Sequence, residues 1–487
     1  MTFWQAFLWN AKGEVECCVI ATQHSLDTTR SNTRVLILIM RKPKTIVIGS
    51  GLAGLSAALE LSRNGFEVLL LEAAPYIGGR PASWNKDGME VESGLHRVLG
   101  FYTAFPKLVK KAGLKMKDII IWEDEIEVKI ATGTGKGPSY VYGTSPVFKP
   151  FKTFSSPFRN HLLSWKETWK ALKFFISGMM TFITRPERLD EFSVLDYANK
   201  FHLSEETIQR LLVPLTAGLF FIPPERYSAY VFFGPFVHAL KRFSRVRIGA
   251  FRGGMTEVLA RPIAERIAQL GGTVLTDAPV TRLVVVDNRV RGVLVNNETE
   301  YACDYVVLAT SLEPAQRIIR ASSLKDAFPN LLSLPSMPEV NLQIESNRPA
   351  WPIDHTVFGV GASLVTFTEQ SRTTFTDKAG RLSIILSPPD RIIALKDEEI
   401  FEIFKRDAPR LGIDSAHVTN YRVIRHPADF YLLSPNMNKL RPQPRTSVSW
   451  LFLAGDYVQQ SFIATMEGAV IASNSAAREV INAEKLI

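Results

Sequence analysis

Cysteine is scarce in this chain: Cys17, Cys18 and Cys303 are the only three among 487 residues. Two are adjacent, and no histidine cluster accompanies them. Neither a disulfide framework nor a zinc spacing is present, which fits a reducing compartment, and no metal is expected. Apolar runs of about 18 residues or more are missing too, which excludes a plain membrane-spanning helix. The longest apolar stretch, "LLVPLTAGLFFIPP", is cut by Pro214, Pro223 and Pro224. There is no low-complexity block and no solenoid or propeller repeat. No Ser/His/Asp or metal constellation stands out, so hydrolytic and metal chemistry have no visible carrier.

The first 40 residues lack the basic, apolar and small-residue layout of a secretory leader. They also lack the Arg-rich, acid-poor look of a transit peptide. Met40 then opens "MRKPKTIVIGSG", a natural start for a dinucleotide-binding domain. Residues 1–40 are therefore expected to be an extension, disordered or added by a misassigned start; a targeting segment is the alternative. Net charge is +9, and a basic surface suits nucleic acid, an anionic membrane or an acidic ligand. No basic motif with interleaved stacking aromatics is present, so no nucleic-acid partner is expected.

What is there is a globular composition, 46% hydrophobic and 22% charged, in a chain long enough for two or three lobes. "KTIVIG" reads as a buried parallel strand, 52–64 as a helix with Ala and Leu toward a sheet, and "FEVLLLEA" as the next strand. Together they make a βαβ unit. Residues 251–272 read as a helix bounded by glycines, "DYVVLAT" and "WLFLAGDYV" as further buried strands, and 466–483 as a final helix. Residues 145–245 change character: Phe, Trp, Lys and Arg recur at helical periods. The fold expected is α/β, a Rossmann-like nucleotide-binding domain with a mixed-sheet substrate lobe and an inserted helical lobe. Its boundaries are placed at 41–125, 246–330 and 446–487 for the nucleotide domain, 126–245 for the helical lobe and 331–445 for the substrate lobe.

In "VIGSGLAGLSAAL" each glycine of G-x-G-x-x-G has a job. Gly49 allows the tight turn, Gly51 lets backbone approach a pyrophosphate, and Gly54 allows close helix–strand packing. The helix start offers free N–H groups and a positive dipole end. Glu72 ends the second strand, where an acid accepts ribose hydroxyls and disfavours a 2′-phosphate. Glycine motifs alone do not choose between NAD and FAD.

"EAAPYIGGRPASW" resembles the FAD enzymes of the amine oxidase and carotenoid desaturase superfamily. There a Gly-Gly-Arg approaches the pyrophosphate and flavin; here those residues are Gly78, Gly79 and Arg80. "LFLAGDYVQQSFIATMEGAVIAS" is similar to their carboxy-terminal motif. It implies that Gly455 and Asp456 meet the ribityl chain or phosphates, and that the helix near Met466, Glu467, Gly468 and Ala469 turns its dipole toward reduced flavin. "VESGLHRVLGFYTAFPKLVKKAGL" resembles the family's Glu-Thr-Gly-Leu-His segment, and "GGTVLTDAPVTRL" an interior strand whose Val, here Val280, meets adenine through its backbone. From about residue 44 to 482 the chain resembles plant- and cyanobacterial-type phytoene and ζ-carotene desaturases, and is similar to the related hydroxysqualene dehydroxylases. The resemblance adds Ala73, Gly94 and Leu95 to the cofactor-binding set.

The resemblance implies an FAD-dependent oxidoreductase. Hydride passes from an allylic carbon to flavin N5, and a quinone then accepts the electrons. His96 is the weak candidate for accepting the proton. "ALKRF" matches a family segment whose Arg lines the quinone pocket, which would place Arg242 there; "FRGGM" nearby is closer to bacterial desaturases and isomerases. A polyisoprenoid lives in lipid. Residues 148–189 mix Phe and Trp with Lys and Arg at helical spacing, as an interfacial helix requires; core packing with snorkelling lysines is the alternative. Peripheral, monotopic association from the cytoplasmic side is expected. Dehydroxylase, isomerase, flavin amine oxidase and non-catalytic flavin- or carotenoid-binding roles stay open.

Overall fold

A computed structural model describes residues 2–9, 15–22, 35–39, 41–149 and 162–486. The nucleotide-binding domain is built on five parallel strands. Their order in space is Thr273–Leu275, Glu67–Leu71, Lys44–Ile48, Tyr305–Leu308 and Leu451–Leu453. These short runs are rich in Val, Ile and Leu because both faces of the sheet are covered: Ile46, Val47, Leu70, Val306 and Val307 are fully buried. Helices Leu52–Arg63, Arg261–Gln269 and Met466–Glu484 share one apolar cluster on one face. Helix Leu312–Ala321 and the antiparallel strands Val280–Val286, Arg289–Val295 and Thr299–Ala302 cover the other. In chain order the strands lie 3-2-1-4-5. The sheet therefore reverses its direction of growth between Lys44–Ile48 and Tyr305–Leu308, and such a switch point is where α/β sheets bind ligands.

The substrate lobe is a seven-stranded mixed sheet. Its order is Ser139–Thr144, Glu125–Ile130, Val357–Val360, Leu364–Glu369, Gly380–Leu386, Ser336–Ser346 and Val418–Tyr431. This differs from the expected boundaries. Glu125–Ile130 and Ser139–Thr144 fall in the span read as the helical lobe, yet they extend this sheet. The reason is long-range: Glu125–Ile130 pairs in parallel with Val357–Val360, and Val128 is sealed against Phe358 and Val360.

The helical lobe contains helices Trp165–Thr184, Pro186–Asp190, Val194–Asn199, Val213–Phe220 and Ala229–Lys241. Phe174, at 0% exposure, packs among Phe175, Tyr197, Phe201, Phe232 and Phe233. The opposite face of Trp165–Thr184 is apolar as well, and it is exposed. Trp165, Trp169, Leu172, Ile176, Met180 and Ile183 are 36–63% exposed. At 100° per residue they fall in an arc of roughly 80° and run roughly 27 Å along the axis. Exposed Lys166 and Lys173 stand at one edge of the stripe. Residues 150–161, part of the expected interfacial stretch, lie outside the described residues. Among the described residues no helix is long and apolar enough to cross a membrane.

The first 40 residues, expected to be an extension, contribute strands Thr2–Trp9, Val15–Thr22 and Val35–Ile39. These pair antiparallel with one another and join no other sheet among the described residues. The side chains of Cys17 and Cys18 lie outside the described residues.

Candidate functional site

The central strand ends in Gly49, whose φ of +97° suits glycine and whose N–H donates to the Leu71 carbonyl at 2.7 Å. Gly54 lies in the first helical turn, and a Cβ there would stand 1.8 Å from the Gly49 carbonyl oxygen. Helix and strand are therefore in backbone contact. Gly51 opens the helix without a side-chain cap, and a Cβ on it would meet nothing nearer than 4.0 Å. Bare backbone and uncapped N–H groups thus stand together at the helix start, the chemistry that holds a phosphate.

Glu72 closes this turn. Ser50 donates to its Oε2 from N and Oγ at 2.7 and 2.6 Å, and the Ala74 N–H donates to Oε1 at 2.9 Å. A carboxylate has about four lone-pair sites, and Glu72 is only partly buried, so room remains for ribose hydroxyls. Its carbonyl accepts from the Ala278 N–H at 2.8 Å. This brings Val280, half-buried at the start of its strand, toward the same end of the sheet. Ala73 is exposed.

The second glycine loop lies on the first. The Gly78 N–H donates to the Ser50 carbonyl at 3.2 Å, and a Cβ on Gly79 would stand 2.8 Å from the Gly51 Cα. Arg80 then reaches across 376 residues of sequence to Asp456. Its Nη1 and Nη2 donate to Oδ2 and Oδ1 at 3.0 and 2.6 Å. This is the bidentate, charge-assisted geometry of a fork on a carboxylate. Asp456 is 3% exposed and follows Gly455, whose φ is +146°. The two sequence motifs therefore meet at the carboxyl end of one sheet.

Met466 opens the last helix, where Thr465 caps the Gly468 N–H at 3.1 Å. Glu467 points elsewhere. It accepts from Thr103 N and Oγ1, Ala104 N and Phe105 N at 2.6–2.9 Å, and so caps helix Ala104–Lys111.

A Cβ on Gly94 would stand 2.9 Å from Glu339 Oε1, so that carboxylate would have to shift. Leu95 packs on the large core that also holds Tyr457 and Phe430. His96 Nδ1 faces the Gly94 carbonyl at 3.2 Å. Burial, with Arg80, His426 and Arg97 adding, pushes the His96 pKa down to about 4. A neutral imidazole of that pKa is a weak proton acceptor near neutrality, so the environment favours a hydrogen-bonding role for His96 over the expected one. Arg242 ends helix Ala229–Lys241 beside exposed Leu240 and Phe243. The same helix touches the carboxy-terminal loop: His238 Nε2 lies 2.9 Å from the Ser461 carbonyl, and its ring stacks on Phe462.

Two buried groups near the site carried no sequence signal. Arg441, 3% exposed, donates into the Asp456 loop. Glu92, also 3% exposed, accepts from Gln370 Nε2 at 2.9 Å, and burial raises its pKa to about 7. "LRP" offers no periodicity that marks an arginine as buried, and arginines are seldom fully buried. In "GMEVESG" Glu90 and Glu92 stand two apart, on one face of the strand Met89–Glu92, so the pattern does not mark Glu92 as the buried one.

A family model described as flavin containing amine oxidoreductase matches residues 52–481. The chain is 26% identical to a 15-cis-phytoene desaturase of Synechococcus elongatus over 460 residues, covering 90% of this chain and 96% of the relative. It is 27% identical to a 15-cis-phytoene desaturase of Glycine max, covering 92% and 81%. Among solved structures, an oxidoreductase from Methanosarcina mazei superposes with a TM-score of 0.70 at 18% identity, covering 90% of this chain and all of that one.

Proposed function

The chain belongs to the flavin-containing amine oxidoreductases, and from that premise we propose that it is an FAD-dependent desaturase of a carotene. Its family is flavin-containing, its cofactor is read as FAD, and the backbone cradle described above suits that cofactor's phosphates. In this reading the Gly49–Gly54 turn and helix start hold the pyrophosphate, and Glu72 holds a ribose. Gly78, Gly79, Arg80 and Asp456 lie along the diphosphate and ribityl side. When bound, FAD supplies a two-electron acceptor for hydride from an allylic carbon, and a membrane quinone takes the electrons onward.

The chain's own residues orient and exclude water. The apolar cluster that contains Leu95, Tyr457 and Phe430 runs without a break into the aromatic core of the helical lobe at Phe174 and Phe232. Such a lining suits a hydrocarbon. His96 stays neutral and presents a hydrogen-bonding nitrogen beside it.

The observation that carries the reading is the exposed stripe on Trp165–Thr184. A water-soluble amine needs no such face, whereas a polyisoprenoid must be drawn from lipid. The stripe, flanked by lysines, supports peripheral docking on the cytoplasmic face of a membrane, apolar side down and cations toward phosphates. Similarity to the phytoene desaturases along 90% of the chain supports the same substrate class.

Expression with phytoene, ζ-carotene and hydroxysqualene, each followed by product analysis, tests it. A new conjugated double bond in either carotene is the expected result. Conversion of hydroxysqualene alone would move the reading to dehydroxylation. No conversion of any of the three, with peroxide released from an amine, would overturn it.

A further inference from the structure

We propose that Arg441 is the positioning residue of the Asp456 loop, and that it ties this loop to the helical lobe. The inference rests on the reading above, in which Asp456 and Arg80 face the flavin. A guanidinium has five N–H donors in a rigid plane, and at Arg441 all five are engaged. Nε donates to the Tyr457 carbonyl at 3.2 Å. Nη2 donates to the Asp456 carbonyl at 3.3 Å and to that of Val458. Nη1 donates to the Gln460 carbonyl at 3.3 Å and to Asn438 Oδ1 at 3.1 Å. Four main-chain oxygens within residues 456–460 thus converge on one cation. The Asp456 carboxylate projects from the same residue whose carbonyl Arg441 holds, and it meets Arg80 in a two-point fork.

A loop that turns its carbonyls inward is otherwise an expensive conformation, because buried carbonyl groups need donors. Arg441 supplies them from a single side chain. Lysine could not: its three donors radiate from one nitrogen and cannot span four carbonyls in a plane. The arginine touches neither the uncapped helix start nor the glycine loops, so its effect on them passes through the Asp456 backbone.

The other end of the chain of contacts lies in the helical lobe. Asp190, 6% exposed, ends helix Pro186–Asp190, which packs against Trp165–Thr184. Its Oδ2 accepts from the Asn438 N–H at 3.1 Å, its carbonyl from the Asn436 N–H at 2.6 Å, and its Oδ1 from Ser228 Oγ at 2.9 Å. Asn438 therefore receives its place from Asp190 and passes it to Arg441. The sequence of contacts is Asp190, Asn438, Arg441, Asp456, Arg80. It is continuous from the lobe that bears the exposed stripe to the residue pair at the end of the nucleotide-binding sheet.

The test uses holoenzyme carrying Arg441→Lys, Asn438→Ala, Asp456→Asn, and the Arg441→Lys/Asp456→Asn pair. The rate of FAD release on dilution is followed by flavin fluorescence, together with the visible circular dichroism of bound flavin. Losing hydrogen bonds from a charged donor should speed release about tenfold in Arg441→Lys. Asn438→Ala, which removes one of the five acceptors, should speed it about threefold. Both should alter the flavin dichroism, and the double variant should fall short of the product of the singles because the two residues act through one loop. Asn438 is only partly buried, so its variant carries the test if Arg441→Lys fails to fold. Wild-type release and dichroism in Asn438→Ala and in any folded Arg441→Lys, beside faster release in Asp456→Asn, would overturn the proposal. An Asp456→Asn holoenzyme that keeps FAD as the wild type does would instead overturn the site reading beneath it.

Discussion

The stripe on Trp165–Thr184 can be tested in isolation from chemistry. Ile176, Met180 and Ile183 are 51%, 55% and 56% exposed, so about half of each side chain is free to enter lipid. Full burial of such a side chain is worth about 1.5–3 kcal/mol. Half of that for three residues is about 2–4 kcal/mol. Replacing all three by Ser should therefore lower the partition coefficient onto vesicles by about 30- to 1000-fold. Exposed substitutions of this kind alter folding stability by only about 0.5 kcal/mol each, so the melting temperature and flavin content should hold. The assay is co-sedimentation with vesicles of phosphatidylcholine and an anionic lipid, at low and high salt. Salt should weaken the contribution of Lys166 and Lys173 and spare the apolar part. A triple variant that sediments like the wild type would refute the reasoning, as would a wild-type protein that ignores vesicles.

Three further outcomes follow from the geometry. Gly54→Ala drives a Cβ to 1.8 Å from the Gly49 oxygen. It should cost about 1–3 kcal/mol and yield protein poor in flavin, read as a fall in melting temperature and in the visible-to-ultraviolet absorbance ratio. Glu92→Gln should stabilise above neutrality. A carboxyl whose folded pKa is raised to about 7 binds more protons folded than unfolded between its unfolded pKa and 7, so the wild type loses stability as pH rises through that window. The loss is about 3 kcal/mol at most, and the variant's advantage in melting temperature should be larger at pH about 8 than at pH about 5; equal advantages would refute the assignment. Glu467→Ala strips a four-bond cap from helix Ala104–Lys111. It should lower stability by about 3 kcal/mol, measured by denaturant titration, with Glu467→Gln losing less.

Much of the nucleotide-binding domain was legible because its signals are local. "KTIVIG" and "FEVLLLEA" are short buried runs, and the glycines between them have no bland substitute in backbone contact. The link from Arg80 to Asp456 was legible only as two separate motifs, and their meeting is a product of the fold. The boundary at 125–126 was not legible. Glu125–Ile130 reads as a strand in isolation, but its partner Val357–Val360 lies more than 200 residues on, and no period within a window reports that. Arg441 was invisible for a different reason. Composition says an arginine is exposed, and only the convergence of loop carbonyls makes this one interior. Glu467 stood inside a recognised motif, which hid its task as a cap for a helix 362 residues away.

The order of the parallel sheet also sets a timetable. Tyr305–Leu308 pairs on one side with Lys44–Ile48 and on the other with Leu451–Leu453. The first neighbour has long been made when it emerges from the ribosome; the second is still to come. At about 5–20 residues per second, the intervening stretch takes roughly 7–30 s to synthesise. For that interval a largely apolar strand presents an open edge, which is a template for wrong pairing. Asp456 arrives after the same delay, so the nascent glycine loops wait without their carboxylate. The sheet and its ion pair are thus completed only by the residues from Leu451 onward, the last to be made.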